Sequence, residues 1–138
     1  MNHSMKEHGH FTLFLQDNII VSRFFGAWNI EQTQHYVDHV IDIATTINHS
    51  PWARIVDISA WEGGAIETTK PLTLLQQWAE KNNCKHVVFI NPPTLPQFML
   101  DKYGQHYGNY KTFTSIDEAT VWVKSTLNNA IKQKASSD

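Results

Sequence analysis

At 138 residues the chain is of one-domain size and long enough to bury roughly two thirds of its unfolded surface. Hydrophobic residues make up 41%, with five Trp, seven Phe and four Tyr, and no stretch approaches the ~18 to 20 apolar residues of a membrane span. A formal charge of −2 offers no basic field to nucleic acid or anionic lipid, and the single Cys84 permits no internal disulfide and suits a reducing cytoplasm.

The lead from Met1 to His10 has neither the apolar core nor the cleavage pattern of a secretory signal. The expectation is a flexible lead over 1–10, one domain over 11–131 and a frayed tail over 132–138. Phe11 to Leu15 and Ile19 to Phe25 are β-type runs flanking Gln16-Asp17-Asn18, a hairpin signal because Asp and Asn tolerate the positive φ of a tight turn. Gly26-Ala27-Trp28 ends the second run. Asn29, with Gln32 three residues on, has the spacing of a capping box. The helix that follows carries Val37, Val40, Ile41, Ala44 and Ile47 on its core stripe and His35, His39, Asp42 and Thr46 opposite.

After Asn48-His49-Ser50-Pro51, Ala53 to Ile58 reads as a short central strand covered on both faces. Asp57 lies near its carboxyl end, where open α/β sheets place their working loops. Trp61 to Thr69 reads as the loop that leaves this strand. Pro71 suits the first turn of a second helix with Leu72, Leu75 and Ala79 on one face and Leu74 and Trp78 beside them, ended by Asn82-Asn83. His86 to Ile90 is another buried strand, stopped by Asn91-Pro92-Pro93; Leu95 to Tyr103 is a short third helix ended by Gly104. Tyr110 to Phe113 is a last strand. Ser115-Ile116-Asp117-Glu118 opens a final helix with Ala119, Trp122, Val123, Ala130 and Ile131 on its core face. The order β-β-α-β-α-β-α-β-α, with right-handed crossovers, gives an α/β fold: a mixed sheet, parallel at its centre, with helices packed on it.

This order, with the segment Asp57-Ile58-Ser59-Ala60-Trp61-Glu62-Gly63-Gly64, resembles the STAS domain, the fold of bacterial anti-sigma factor antagonists, and the bacterial proteins called SpoIIAA-like or STAS/SEC14-like. The likeness spans about Phe11 to Ile131 and rests on topology and loose pattern. It implies a non-catalytic cytoplasmic module that binds another protein. In phosphoregulated antagonists an Asp-Ser-Ser-Gly segment carries the serine that a partner kinase modifies; Glu62-Gly63-Gly64-Ala65 falls on it here. Both serines are replaced by glycine, so no hydroxyl at these positions can accept a phosphate. Thr68 and Thr69 are the nearest hydroxyls downstream.

The candidate partner surface is therefore Trp61, Glu62, Gly63, Gly64, Glu67, Thr68 and Thr69, an aromatic beside acidic groups with glycines that allow close backbone approach. The competing reading buries Trp61 against the next helix and gives the glycines only a turn to make. Phe98, Met99, Tyr103, Tyr107 and Tyr110, with His106, form a second candidate: an apolar pocket for a small molecule or lipid, as the SEC14-type resemblance implies, against simple packing. A homodimer paired through aromatic surface is a third expectation.

No metal or cofactor is expected. His35 and His39 stand at i, i+4 with Asp42 near, and His8 and His10 lie in the lead, but zinc needs three or four fixed ligands. No Gly-x-Gly-x-x-Gly, Walker loop or Gly-x-Ser-x-Gly elbow is present, and Cys84 beside Asn82-Asn83 lacks signs of activation. A phosphoacceptor role for Asp57 would need an acidic pair after an early strand, and Phe24-Phe25-Gly26-Ala27 supplies none. Asp57 reads instead as a capping carboxylate, and the chain as no enzyme.

Overall fold

In a computed structural model, which describes residues 9–64, 66–90 and 110–137, the first two runs become β1 (His10–Gln16) and β2 (Ile19–Trp28). They pair antiparallel from His10↔Phe25 to Gln16↔Ile19, leaving Asp17 and Asn18 to turn the chain. Asp17 has φ 55, the left-handed conformation that short polar side chains tolerate. α1 (Ile30–Ala44) starts at Asn29, whose Oδ1 accepts the Gln32 N–H at 3.0 Å. Half of the expected capping box is made; the Gln32 side chain is buried, and its Oε1 has no hydrogen-bond partner among the described residues.

β3 (Trp52–Gly64) is followed by a 3₁₀ turn (Ile66–Thr68), α2 (Thr69–Lys81) and β4 (Cys84–Ile90). β5 (Tyr110–Phe113) and α3 (Ile116–Ser137) complete the described chain. The expected helix over Leu95 to Tyr103 lies outside the described residues. The sheet order is β1-β2-β3-β4-β5, with β2 through β5 parallel. Consecutive parallel strands that advance one way across a sheet, joined by crossovers of one hand, place both connecting helices on the same face. α1 and α2 accordingly share a core with Ile20, Phe24, Val56, Ile58, Val87 and Phe89. The alternate residues, Ile19, Val21, Ala53, Ile55, Val88 and Ile90, meet Ala119, Val123 and Leu127 of α3 on the other face.

Asparagines close the amino end of β3. Asn82 ends α2, and its carbonyl accepts the Trp52 indole N–H at 2.6 Å, while the carbonyl of Asn83, itself at φ 74, accepts the Trp52 amide at 3.0 Å. Asn83 Nδ2 donates to the Asn48 carbonyl at 2.6 Å and Asn18 Nδ2 to that of Pro51 at 2.7 Å. Two asparagine side chains and two asparagine carbonyls thus satisfy polar groups that would otherwise be stranded beside the core.

The helix faces need two corrections. On α3 the buried stripe steps by four, through Ala119, Val123 and Leu127, and Ile131, one turn further on, is 39% exposed. The stripe has left the sheet by then. On α2, Leu74 is exposed and Gln76 is buried in its stead, because the sheet beneath presents a polar partner there.

Candidate functional site

The candidate site stands on the carboxyl half of β3, which runs to Gly64 instead of turning off after Ile58. β2 is the reason: it continues to Trp28, and Gly26↔Trp61 and Trp28↔Gly64 extend the parallel ladder. The register slips twice on the way. Between Arg23↔Asp57 and Phe25↔Ala60, and again between Gly26↔Trp61 and Trp28↔Gly64, β3 carries one more residue than β2. Each slip is a bulge, which frees backbone groups and re-aims side chains. Asp57 answers the first: its Oδ1 accepts the Ser59 N–H at 2.9 Å, the capping role expected of it. Its other oxygen faces Arg23 Nε at 3.8 Å.

The first slip also reverses the alternation of the strand, so that Trp61 joins Val56 and Ile58 on the inner face. Its exposure is 6%, and its ring packs edge-on to Phe24 at 5.3 Å and Trp28 at 6.0 Å. Phe24 and Trp28 pack 4.1 Å apart, with Tyr36 of α1 4.7 Å from Phe24. Trp61 is thus a core residue, which corrects the expectation that it contacts a partner; four rings meeting here leave it no path to solvent. Gly63 takes φ 87. At Gly64 a Cβ would lie 2.6 Å from Thr68 Oγ1 and 3.1 Å from the Trp28 carbonyl, so the residue must be glycine for the chain to fold back at this point.

Seven expected contact residues therefore divide. Trp61, Gly63 and Thr68 are buried, Gly64 and Thr69 are half-buried, and Glu62 and Glu67 are exposed. Of the two downstream hydroxyls, Thr68, at the N-cap of α2, is buried and Thr69 is half-buried. Of the second candidate set, Phe98, Met99, Tyr103 and Tyr107 lie outside the described residues, and Tyr110 is described only as part of β5. Beside Glu62 along the strand, Arg23, Phe24, Phe25, Asp57, Ser59 and Ala60 line a cleft of about 220 Å³.

Beneath α1 and α2 lies a group that sequence reading missed. Arg54 is 2% exposed; Nη1 donates to Gln76 Oε1 at 2.7 Å and Nη2 to the Tyr36 hydroxyl at 3.0 Å. Tyr36 also pairs with Ser22 Oγ at 2.9 Å. One cation thereby links β2, β3, α1 and α2, tying both helices to the strands that carry the site. A polar residue on the stripe of α2, Gln76, was the one signal in the sequence. Burial pushes the Cys84 thiol up to about 11, partly offset by the nearby Arg54 charge. A thiol held protonated is a poor nucleophile. Among the described residues no three His, Cys, Asp or Glu side chains are placed to hold a metal; His35 and His39 instead flank the Phe11 ring edge-on, at 5.5 and 5.6 Å.

The sequence matches no family model and no curated protein. Solved structures do resemble it. An uncharacterised protein of the DUF3478 family from Shewanella loihica, described as SpoIIAA-like, superposes with a TM-score of 0.64 at 15% identity, over 86% of this chain and 97% of that one. The chain has a SpoIIAA-like STAS fold. The anti-sigma factor antagonist SpoIIAA in its unphosphorylated form gives 0.66 at 14% identity over 83% of this chain and 97% of its own. An anti-sigma factor antagonist from Mycobacterium paratuberculosis gives 0.61 at 18%, over 85% and 95%. At such identities the likeness is one of fold. No helix among the described residues is long and apolar enough to cross a membrane.

Proposed function

We propose that the chain is a non-catalytic regulatory module of the cytoplasm that binds another protein through the acidic rim formed by Glu62 and Glu67, with Thr69 and the start of α2 beside them. The observation that carries this reading is the division of the strand end: Trp61 and Thr68 are buried, Gly64 is confined by Thr68 and the Trp28 carbonyl, and the Glu62 and Glu67 carboxylates are left outside. A rim fixed in this way loses little entropy when a partner lands on it. The partner face it suits is basic. Two solved structures of this fold are anti-sigma factor antagonists, which supports a regulatory role. Glycine at 63 and 64 leaves no hydroxyl at those two positions to carry a phosphate.

The test is gentle recovery of the tagged chain from its own host, read by native mass spectrometry, for the wild type and for Glu62→Lys/Glu67→Lys. A discrete protein partner, reduced about tenfold or more by the double substitution at unchanged melting temperature, is expected. Undiminished capture would remove the rim from the binding surface. A stoichiometric small apolar mass in place of a protein would favour the carrier alternative and the Phe98, Met99, Tyr103, Tyr107 and Tyr110 set.

A further inference from the structure

Among the described residues, β1 is an outer strand of the sheet. Along the free side of such a strand, every second residue presents an N–H and a C=O with no sheet partner. Among the described residues, no backbone group outside β2 hydrogen-bonds to the backbone of residues 10–16. Natural sheets guard such edges with a lysine, a proline, an inward charge, a bulge or a very short strand. β1 has none of these. His10-Phe11-Thr12-Leu13-Phe14-Leu15-Gln16 contains no Lys, Arg, Asp, Glu, Pro or Gly, and its pairing with β2 runs all seven residues without a slip. Phe14 is 49% and Leu15 40% exposed. The opposite edge, β5, offers only four residues.

The geometry points to a second copy of this chain laid antiparallel along β1, with a two-fold axis through Leu13, so that two five-stranded sheets become one continuous sheet. The strand is complementary to itself about that axis. His10 faces the partner subunit's Gln16, Phe11 the partner subunit's Leu15, and Thr12 the partner subunit's Phe14. Both exposed apolar side chains gain a neighbour, and no like charges meet. The helices fit without overlap. α1 packs over the β1–β2 pair, so the two copies of α1 would lie two strand spacings apart, about 10 Å, the upper end of the roughly 8–10 Å at which helices pack. Because the same strand is used on both sides, the contact is isologous and closes at two copies.

Sedimentation velocity of the full chain, from nanomolar to high micromolar concentration, tests this directly. A reversible monomer–dimer equilibrium is expected; a monomer throughout overturns the inference. Thr12→Lys/Phe14→Lys sets two like-charged pairs across the axis and should weaken association about tenfold or more, while the monomer keeps its cooperative melt. Mixing that variant with Thr12→Glu/Phe14→Glu should restore the dimer. A dimer indifferent to the lysines, or a mixture that stays monomeric, would place any association elsewhere. The axis has its own check: Thr12→Cys and Phe14→Cys chains should form a disulfide when mixed and oxidised, and not separately. Crosslinking within either single preparation overturns the register. Cys84 is buried and stays out of the reaction.

Discussion

Under α1 and α2 the sheet meets Phe24, Trp28, Tyr36, Trp52 and Trp61 together with the buried guanidinium of Arg54, whereas under α3 it meets Ile19, Val21, Ile55, Val88 and Ile90 against Ala119, Val123 and Leu127. Aliphatic packing is strong but nondirectional, so it fixes distance more than angle. Aromatic edges and a hydrogen-bonded cation fix both. The difference explains why the candidate rim is referenced to the first face. Glu62 and Glu67 take their positions from Trp61, Trp28 and Thr68, and α2 takes its own from Arg54 through Gln76. α3 serves as a cover.

The comparison breaks most sharply at Trp61. Trp61→Ala removes the ring that joins β3 to Phe24 and Trp28 and should cost about 4 kcal/mol in urea unfolding. A loss below about 1 kcal/mol would mean that the indole is not core and that the rim is anchored by something else. On the aliphatic face, Leu127→Ala should cost about 3 kcal/mol. It should leave the urea midpoint lower while partner capture through Glu62 and Glu67 persists at temperatures where the chain is folded. Equal loss of capture in the folded state would erase the functional distinction between the faces.

A smaller and more specific effect belongs to the buried cation. Gln76→Leu leaves the Arg54 guanidinium short of an acceptor and should cost about 2 kcal/mol. Arg54→Met in the same background should recover much of that loss, because an apolar pair of similar volume owes no desolvation cost. A double-mutant cycle showing strict additivity would deny the Arg54–Gln76 contact any energetic weight.

The sheet and its helices were legible from period and punctuation. Ile19 to Phe25, Val37-Val40-Ala44 and Leu72-Leu75-Ala79 state their burial by spacing alone, and Asn29, Asn82-Asn83 and Ser115 mark ends by their chemistry. What stayed hidden was set by tertiary pairing. Glycines 63 and 64 look like a turn in the sequence, yet β2 is long enough to hold them in the ladder, and only that neighbour decides where β3 ends. Arg54 sat unnoticed in an otherwise apolar run, since nothing local says that Tyr36 and Gln76, far away in sequence, converge on it. Leu127 was passed over for Ile131 because periodicity gives the face of a helix and not the point at which the sheet beneath it stops. Part of the expected contact surface fell to the same cause: Trp61 and Thr68 carry the chemistry of a binding loop but the packing of a core.

pH offers a way to question the two faces separately, with the smallest effects. Cys84 belongs to the α1/α2 core, and burial raises its pKa from 9.0 to about 11. Because the unfolded chain gives up this proton first, stability is undiminished below pH 9 and falls as pH climbs from 9 towards 11, on the order of 1 kcal/mol by pH 10; Cys84→Ala should flatten that slope. His86 lies on the other face, its ring 5.0 Å from Trp122 of α3, and burial followed by the Lys85 charge lowers its pKa below 6.5. Here the unfolded chain binds the proton more readily, so stability is present above pH 6.5 and is lost as pH falls. Urea midpoints of His86→Gln should therefore converge with those of the wild type as the solution is acidified. If acid weakened both proteins equally, the slope would belong to another titrating group and the α3 face would carry no pH-sensitive contact at His86.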